Sequence, residues 1–265
     1  MSNSKSVALI TGASSGIGAA YADRLAGRGF DLILIARRQD RLDSLAERLR
    51  KAHGRKVEVF PADLGNPDDL SRVEALIRGR EDIEVLLNNA GLGALGPSAS
   101  VDAKAVDTLV KVNVLALTHL SLAAVPGFAK RNRGTIINIG SVIAVMPAPG
   151  AAAYSASKAY VLNFSRSLQM EFAKSSVKVQ VIMPGPVRSE FFGDQAPPFP
   201  DQLFMTAETL VDTALSALDQ GELVCFPTLH DIAAWTGFDT ARGALAKAIT
   251  QDGKPAERYH ITSAA

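Results

Sequence analysis

The chain has 265 residues, of which 47% are hydrophobic and 21% are charged, and its formal net charge is +1 at pH 7. This length suits one large domain or two small ones, with enough apolar residues to bury a sizeable core. The near-neutral charge and the scattered Lys and Arg residues argue against a nucleic-acid partner. The single cysteine, Cys225, excludes an internal disulfide, and the Cys and His residues lack the spacing of a metal site.

The apolar segments near the N-terminus bear on the location of the protein. Residues 7–10 form an apolar run that is too short for the core of a signal peptide, and a Thr-Gly pair follows it at once. We expect no apolar stretch to reach the roughly 20 residues that a membrane-spanning helix needs. We therefore expect a cytoplasmic protein with no membrane partner.

Strand-length apolar segments alternate with helix-period segments along the chain. Strand 7–10 precedes helix 17–29, strand 32–36 precedes a helix around 42–49, and strand 57–60 precedes a helix that starts at 66–69. Strand 83–87 then precedes helix 101–130, strand 135–139 precedes helix 152–174, strand 177–183 precedes helix 207–220, and strand 223–226 comes last.

This alternation predicts an α/β protein with a Rossmann fold. We expect a single domain over residues 1–265, built on a doubly wound parallel sheet of about seven strands with helices on both faces. Residues 188–206 are rich in Pro, Phe and Gly and are expected to form a substrate loop. Residues 228–265 have no place in the alternation and are described as a C-terminal extension.

A glycine-rich segment, residues 11–18, lies between the first predicted strand and the first helix. Glycines allow a sharp turn and a close approach to a ligand, and the helix N-terminus offers unpaired N–H groups to an anion. The segment therefore predicts a pyrophosphate site, although a glycine-rich turn without a ligand is the alternative. The residues expected to contact the cofactor here are Gly12, Ser14, Ser15, Gly16, Ile17 and Gly18.

Two arginines, Arg37 and Arg38, follow the second predicted strand. An acidic residue at this position would bind the adenosine ribose and would repel a 2′-phosphate. Here the acid is missing, and a guanidinium group binds phosphate through its planar fork. The pair therefore favours NADP(H) over NAD(H), with a solvated basic turn as the alternative.

Tyr154 and Lys158 are four residues apart on a predicted helix, so their side chains share one face. A free tyrosine has a pKa of about 10, and a nearby ammonium lowers that pKa toward the range useful for acid–base catalysis. Ser141 ends the fifth predicted strand, where its hydroxyl can donate a hydrogen bond to a substrate oxygen. Taken alone, a Tyr-x-x-x-Lys pair is also frequent by chance.

Together these segments resemble the short-chain dehydrogenase/reductase family. The resemblance covers residues 7–189 and is carried by Thr-Gly-x-x-x-Gly-x-Gly at 11–18, Asn-Asn-Ala-Gly at 88–91, Tyr-Ser-Ala-Ser-Lys at 154–158 and Pro-Gly-Pro-Val-Arg-Ser at 184–189. In the last segment, Ser189 replaces the family's usual threonine. The resemblance implies an oxidoreductase that moves a hydride between a nicotinamide and a carbonyl or alcohol carbon.

The resemblance implies roles for four catalytic residues. Tyr154 would be the general acid and base, Lys158 would lower its pKa and hold the nicotinamide ribose, and Ser141 would position the substrate. Asn113 would orient Lys158 through a water molecule and complete a proton relay. For Asn113 the alternative is a polar kink inside a helix, because Asn is a poor helix former.

The remaining cofactor contacts are also implied by the resemblance. Asp63 and Leu64 would contact the adenine ring, although Asp63 suits a helix cap equally well. The residues expected beneath the cofactor are Asn89, Ala90 and Gly91, and those expected at the nicotinamide carboxamide are Pro184, Gly185, Val187 and Ser189. The aromatic residues of the 188–206 loop either line an apolar pocket or hold the loop in place.

We therefore expect an NADP(H)-dependent oxidoreductase that acts on a small-molecule carbonyl or alcohol, with reduction as the cellular direction. An NAD(H)-dependent alcohol dehydrogenase with the same site and a non-enzymatic dinucleotide sensor are the alternatives. The resemblance also implies a homo-oligomer, either a tetramer or a dimer. The sequence leaves the identity of the substrate open.

Overall fold

Seven apolar segments become the strands of one parallel sheet in the computed structural model, which describes residues 6–192, 199–249 and 253–259. The strands are β1 (Val7–Thr11), β2 (Asp31–Ala36), β3 (Val57–Pro61), β4 (Ile83–Asn88), β5 (Gly134–Ile139), β6 (Val177–Ile182) and β7 (Val224–Cys225). Their order across the sheet is β3-β2-β1-β4-β5-β6-β7, so the direction of winding reverses between β1 and β4. The predicted doubly wound Rossmann fold is confirmed.

Helices cover both faces of this sheet. They are α1 (Gly16–Gly27), α2 (Gln39–His53), α3 (Pro67–Arg78), α4 (Ala103–Val110), α5 (Leu117–Arg131), α6 (Ala152–Glu171) and α7 (Ala207–Asp219). Successive strand residues supply opposite cores: Leu9 and Ile33 pack with α3 and α5, whereas Ile10 and Leu34 pack with α1, α2 and α7. This double burial explains why the strands are apolar without alternation.

The predicted start of α3 at residues 66–69 is confirmed in detail. Asn66 precedes the helix, and its side-chain oxygen accepts hydrogen bonds from the backbone N–H groups of Asp68 at 2.9 Å and Asp69 at 3.3 Å. These bonds satisfy two of the N–H groups that a helix start leaves unpaired. Other boundaries moved by a few residues, as is usual at element ends.

The helix predicted at 101–130 is continuous but not uniform. Between α4 and α5 lies a π-helical turn, Lys111–Ala116, which contains Asn113. The whole stretch, Ala103–Arg131, is long enough and apolar enough to cross a membrane, and half of its most apolar window is buried. The expectation that no segment reaches this length was therefore wrong, and the contacts of α5 with β4 and β5 account for its apolar composition.

The chain divides into two compact units, Met1–Pro227 and Thr228–Ala265. The second unit contains α8 (Ala233–Ile249), a helix that the strand–helix alternation did not predict. Within this unit Trp235 and Phe238 stack with their ring centres 5.7 Å apart. Residues 193–198 of the predicted substrate loop lie outside the described residues, as do residues 250–252 and 260–265 of the extension, His260 among them.

Candidate active site

A cleft of about 920 Å³ lies in the first unit, at the carboxyl ends of the strands. Its position coincides with the reversal of winding between β1 and β4, where open α/β sheets bind their ligands. Most of the residues predicted to bind the cofactor line this cleft: Gly12, Ser14, Ser15, Gly16, Ile17, Arg37, Arg38, Asp63, Leu64, Asn89, Ala90, Gly91, Tyr154, Lys158, Pro184, Gly185, Val187 and Ser189.

The glycine-rich turn depends on glycine for its close packing. Gly12 has a φ of +64°, and a Cβ atom on it would lie 2.7 Å from Asn89 Nδ2. A Cβ atom on Gly18 would lie 2.3 Å from the carbonyl oxygen of Gly12. Gly18 packs behind the turn and is not among the described residues that line the cleft, and its contact with the cofactor stays a prediction.

The Asn-Asn-Ala-Gly segment holds this turn in place. The buried hydroxyl of Thr11 accepts hydrogen bonds from the N–H groups of Asn89 at 3.0 Å and Ala90 at 3.1 Å. Asn89 Nδ2 in turn donates to the carbonyl oxygens of Thr11 at 3.0 Å and Gly12 at 3.1 Å. The end of β4 therefore fixes the end of β1.

The start of α1 offers a cradle for an anion. Ser15 precedes the helix, but its side chain makes no capping hydrogen bond, and no acidic residue occupies the first turn. The first N–H groups of α1 therefore have no side-chain acceptor, and the helix dipole adds positive potential at this end. The uncapped helix start and the close glycine turn fit the pyrophosphate of a dinucleotide.

Arg38 extends this cradle toward β2. Its Nη2 atom donates to Ser14 Oγ at 2.9 Å and to Ser15 Oγ at 3.1 Å. Its Nη1 atom donates to a carboxylate oxygen of Glu190 at 2.7 Å, and Arg41 binds the other carboxylate oxygen. Hydrogen bonds from Arg41 and Arg38 lower the pKa of Glu190 to about 2. Neither Glu190 nor Arg41 belongs to a motif that would predict a role in the site.

The two alternatives for Asp63 are partly resolved. The cap of α3 is Asn66, so Asp63 is not the capping residue. Its carboxylate instead accepts a hydrogen bond from the N–H of Gly65 at 2.9 Å, which shapes the loop after β3. Asp63 and Leu64 line the cleft, and their contact with an adenine ring stays a prediction.

Ser141, Tyr154 and Lys158 come together at the end of β5. Ser141 precedes a short 3₁₀ turn, Val142–Val145, and its hydroxyl lies close enough to the Tyr154 hydroxyl to influence the pKa of that group. Lys158 Nζ lies 5.8 Å from the centre of the Tyr154 ring and donates to the carbonyl oxygen of Ile139 at 2.8 Å. The spacing of four residues on α6 therefore aligns the two side chains as predicted.

The pKa values differ from the sequence-based expectation. Burial raises the pKa of Tyr154 to about 12, and the nearby Ser141 hydroxyl opposes this shift only in part. Burial also lowers the pKa of Lys158 to about 8, because this side chain is removed from water. The expected lowering of the tyrosine pKa by Lys158 is therefore absent here, and desolvation sets the direction of the shift. Tyr154 is a protonated group at neutral pH.

Asn113 lies behind the cleft rather than in its lining. Its Oδ1 accepts a hydrogen bond from the N–H of Leu92 at 2.8 Å, while its Nδ2 donates to the Leu92 carbonyl at 2.9 Å and to Ser157 Oγ at 3.2 Å. Asn113 thus ties the loop after β4 to α6, beside Tyr154. The π-helical turn agrees with the polar-kink alternative, and the water-mediated relay stays a prediction.

The cleft has an apolar end beside Tyr154. The ring of Phe191 lies 5.5 Å from that of Tyr154, measured between centres. Other apolar side chains that line the cleft include Leu92, Leu95, Val142, Ile143, Met146, Phe199 and Leu203. Most of them lie in the loops after β4 and β5. Their position just after the carboxyl ends of strands was the sequence signal that could have identified them as residues of the cleft. Phe191 and Phe199 line the cleft, whereas Phe204 packs against Phe199, with 6.4 Å between ring centres.

The residues without a predicted chemical role have structural partners. His53 lies 3.3 Å from Asp23, and His119 lies 2.8 Å from Glu74. Within the described ranges, no group of His, Cys, Asp and Glu side chains could hold a metal ion. Cys225 is buried on β7, and burial raises the pKa of its thiol to about 12. These observations agree with an inert core thiol.

Comparisons with known proteins agree with this geometry. A family model described as short chain dehydrogenase matches residues 6–198. A very-long-chain 3-oxoacyl-CoA reductase of Anas platyrhynchos is 35% identical over 235 residues, which are 86% of this chain and 73% of that protein. A 17-beta-hydroxysteroid dehydrogenase type 3 of Danio rerio is 35% identical over 221 residues, covering 81% of this chain and 70% of the relative.

Two solved structures are similar over nearly the whole chain. A short-chain dehydrogenase from Sphingobium yanoikuyae in complex with NADPH has a TM-score of 0.92 and 42% identity, covering 96% of this chain and 100% of the other. A bulky-bulky ketone specific alcohol dehydrogenase from Comamonas testosteroni has a TM-score of 0.88 and 39% identity, covering 97% and 99% of the two chains. The chain belongs to the short chain dehydrogenase family and is an oxidoreductase of that family.

Proposed function

We propose that this oxidoreductase uses NADP(H) to reduce large, uncharged, apolar ketones. The observation that carries the proposal is the position of the Tyr154 hydroxyl, next to Ser141 and at the junction of the dinucleotide cradle and the apolar end of the cleft. This arrangement places a proton donor where a carbonyl oxygen can reach it.

The described residues fit a dinucleotide phosphate. The uncapped start of α1 and the turn at Gly12 suit the pyrophosphate, and Arg37 and Arg38 lie at the end of β2, on the side expected for the adenosine. A guanidinium fork there favours a 2′-phosphate, and the residue directly after β2 is Arg37 rather than an acid. The structure of the relative from Sphingobium yanoikuyae contains NADPH.

The protein supplies the proton in the proposed reaction. NADPH, when bound, would supply the hydride that reduces the carbonyl carbon. Tyr154 donates its phenolic proton to the carbonyl oxygen, which completes the alcohol, and then regains a proton from solvent. Because its pKa lies near 12, Tyr154 is available as the acid throughout the neutral range. The Ser141 hydroxyl holds the same oxygen by donating a hydrogen bond.

The lining of the cleft supports an uncharged substrate. Its described charged residues are Arg37, Arg38, Asp63, Lys158 and Glu190. Lys158 lies under the catalytic tyrosine, and the other four lie on the β2 and β3 side, away from the apolar end. No described lysine or arginine of the lining is thus placed to pair with a phosphate-bearing acyl carrier at that end. This favours a bulky ketone, as in the name of the Comamonas testosteroni relative, over a 3-oxoacyl-CoA.

A substrate panel tests the proposal. NADPH oxidation is followed by absorbance with a diaryl ketone, a 17-oxosteroid, a 3-oxoacyl-CoA and acetone, each at matched concentration. We expect a kcat/KM for the diaryl ketone or the steroid at least about tenfold above that for the CoA ester and for acetone, since about 1.4 kcal/mol of apolar burial gives that ratio. A preference for the CoA ester would overturn the substrate class, and NADH-only turnover would support the NAD(H) alternative.

We also propose that the protein is a homo-oligomer. Val161 and Leu168 of α6 are buried within the chain, so they are not available to a second subunit. Leu115, Leu122 and Tyr160 instead expose 47%, 51% and 38% of their surface on the helices that carry the π turn and Lys158. Sedimentation equilibrium of the wild type should give a dimer or tetramer, and Leu122→Asp should shift it toward the monomer. A monomeric wild type would refute this proposal.

A further inference from the structure

A short segment, residues 189–191, extends along the cleft from the glycine-rich turn to Tyr154. At one end, Ser189 lies against the glycine-rich turn: a Cβ atom added to Gly16 would be 3.1 Å from the Cβ atom of Ser189. At the other end, Phe191 packs on the ring of Tyr154 at 5.5 Å. Glu190 lies between them and reaches to the β2 side of the cleft. Each of the three residues lines the cleft.

The carboxylate of Glu190 uses the arginine that the cofactor would need. Arg38 donates to one carboxylate oxygen at 2.7 Å, and Arg41 donates to the other. A carboxylate and a phosphate monoester bind the guanidinium fork through the same pairs of N–H groups. Arg38 also holds Ser14 and Ser15, so all of its donor atoms have protein acceptors.

We propose that Glu190 is a specificity-determining residue that occupies the 2′-phosphate subsite and competes with NADP(H) for Arg38. The inference rests on the proposed use of NADP(H). A 2′-phosphate must replace the carboxylate on Arg38, whereas NADH brings no anion to that position. Glu190 therefore weakens the binding of NADPH and NADP⁺ selectively, and leaves the binding of NADH unaffected.

The size of the effect follows from the exposure of the ion pairs. The side chains of Arg38 and Glu190 are 39% and 51% exposed, so each pair is screened by water. Exposed pairs of this kind are individually weak, and Glu190 has two arginine partners. Loss of the negative charge should therefore tighten NADPH binding about three- to tenfold.

The test compares Glu190→Gln with a matched control, Asp219→Asn. Asp219 forms a comparable exposed ion pair with Arg28 at 2.7 Å, but it does not line the cleft. Dissociation constants are measured by calorimetry at fixed ionic strength for NADPH, NADH, adenosine 2′-monophosphate and adenosine 5′-monophosphate. We expect Glu190→Gln to tighten NADPH and the 2′-phosphate about three- to tenfold, with NADH and the 5′-phosphate unchanged and no effect of Asp219→Asn.

Three results would overturn the inference. Equal tightening of all four ligands would mean that segment 189–191 obstructs the whole cleft rather than the phosphate subsite. Weaker NADPH binding in Glu190→Gln would mean that Glu190 supports the arginines. Unchanged binding of every ligand would mean that the ion pairs are a surface feature only. If the wild type itself fails to bind NADPH, the proposed use of NADP(H) is wrong. If the wild type binds NADPH but Glu190→Gln gives one of the three results above, only the inference about Glu190 is wrong.

Discussion

Replacement of Gly12 by alanine isolates the contribution of the close turn at the end of β1. Gly12 and Gly54 have nearly the same positive φ, +64° and +62°. A Cβ atom on Gly12 would lie 2.7 Å from Asn89 Nδ2 and 2.9 Å from the Cα atom of Ala90, whereas a Cβ atom on Gly54 meets nothing within 4 Å. Gly54→Ala is therefore a control for backbone strain without steric conflict.

The expected magnitudes follow from these contacts. Gly54→Ala should lower the free energy of unfolding by about 1–2 kcal/mol, the cost of a side chain in the left-handed region. Gly12→Ala carries the same cost and also displaces Asn89, whose two hydrogen bonds to the turn are worth about 1 kcal/mol each. Together with the overpacking, the additional loss should be about 2–4 kcal/mol.

Thermal unfolding followed by circular dichroism measures this difference. At about 2–4 °C per kcal/mol for a chain of this size, Gly12→Ala should melt about 4–16 °C below Gly54→Ala. Calorimetry should also show at least about tenfold weaker NADPH binding in Gly12→Ala alone, because the cradle at the start of α1 is displaced. Equal melting temperatures and equal affinities in the two variants would refute the packing argument.

Three further predictions concern the cofactor and the loop after β4. Because burial lowers the pKa of Lys158 to about 8 while that of Tyr154 is raised to about 12, kcat/KM for NADPH should be level at pH 6–7 and fall above pH 8, as Lys158 loses its proton. A profile that stays level to pH 10 would show that the charge on Lys158 is not needed. Arg38→Ala should weaken NADPH binding about tenfold in a fluorescence titration and leave NADH binding unchanged, and an equal loss for both cofactors would contradict the phosphate assignment. Asn113→Ala should lower the free energy of unfolding by about 2–4 kcal/mol, since it leaves both polar backbone groups of Leu92 without this partner, and urea unfolding within about 0.5 kcal/mol of the wild type would be the contrary result.

The fold and the central residues of the site could be predicted because they depend on local patterns. Unbroken apolar segments such as residues 32–36 marked strands buried on both faces, and the spacing of Tyr154 and Lys158 fixed their alignment on one helix. The general handedness of crossover connections then predicted a parallel sheet with helices on both faces, but the order of its strands is known only from the structure. The carboxyl ends of the strands consequently brought Ser141 to the same edge as Tyr154.

The features that could not be predicted depend on contacts between distant segments. Glu190 reaches Arg38 across 152 positions of the chain, from a loop without periodicity. The pKa of Tyr154 is set by burial, which the i, i+4 spacing does not report. Gly18 belongs to the glycine motif, but its packing against the Gly12 carbonyl becomes visible only in three dimensions.

The role of Tyr154 as proton donor is tested most directly by comparing the wild type with Tyr154→Phe in one experiment. NADPH binding is measured by fluorescence, and NADPH consumption in the presence of a diaryl ketone is measured by absorbance in the same preparations. We expect the dissociation constant for NADPH to be unchanged, because the phenyl ring keeps its contact with Phe191. We expect turnover to fall at least about a hundredfold, because the proton donor is lost. A Tyr154→Phe variant that consumes NADPH at the wild-type rate would contradict the assignment of Tyr154 as the acid.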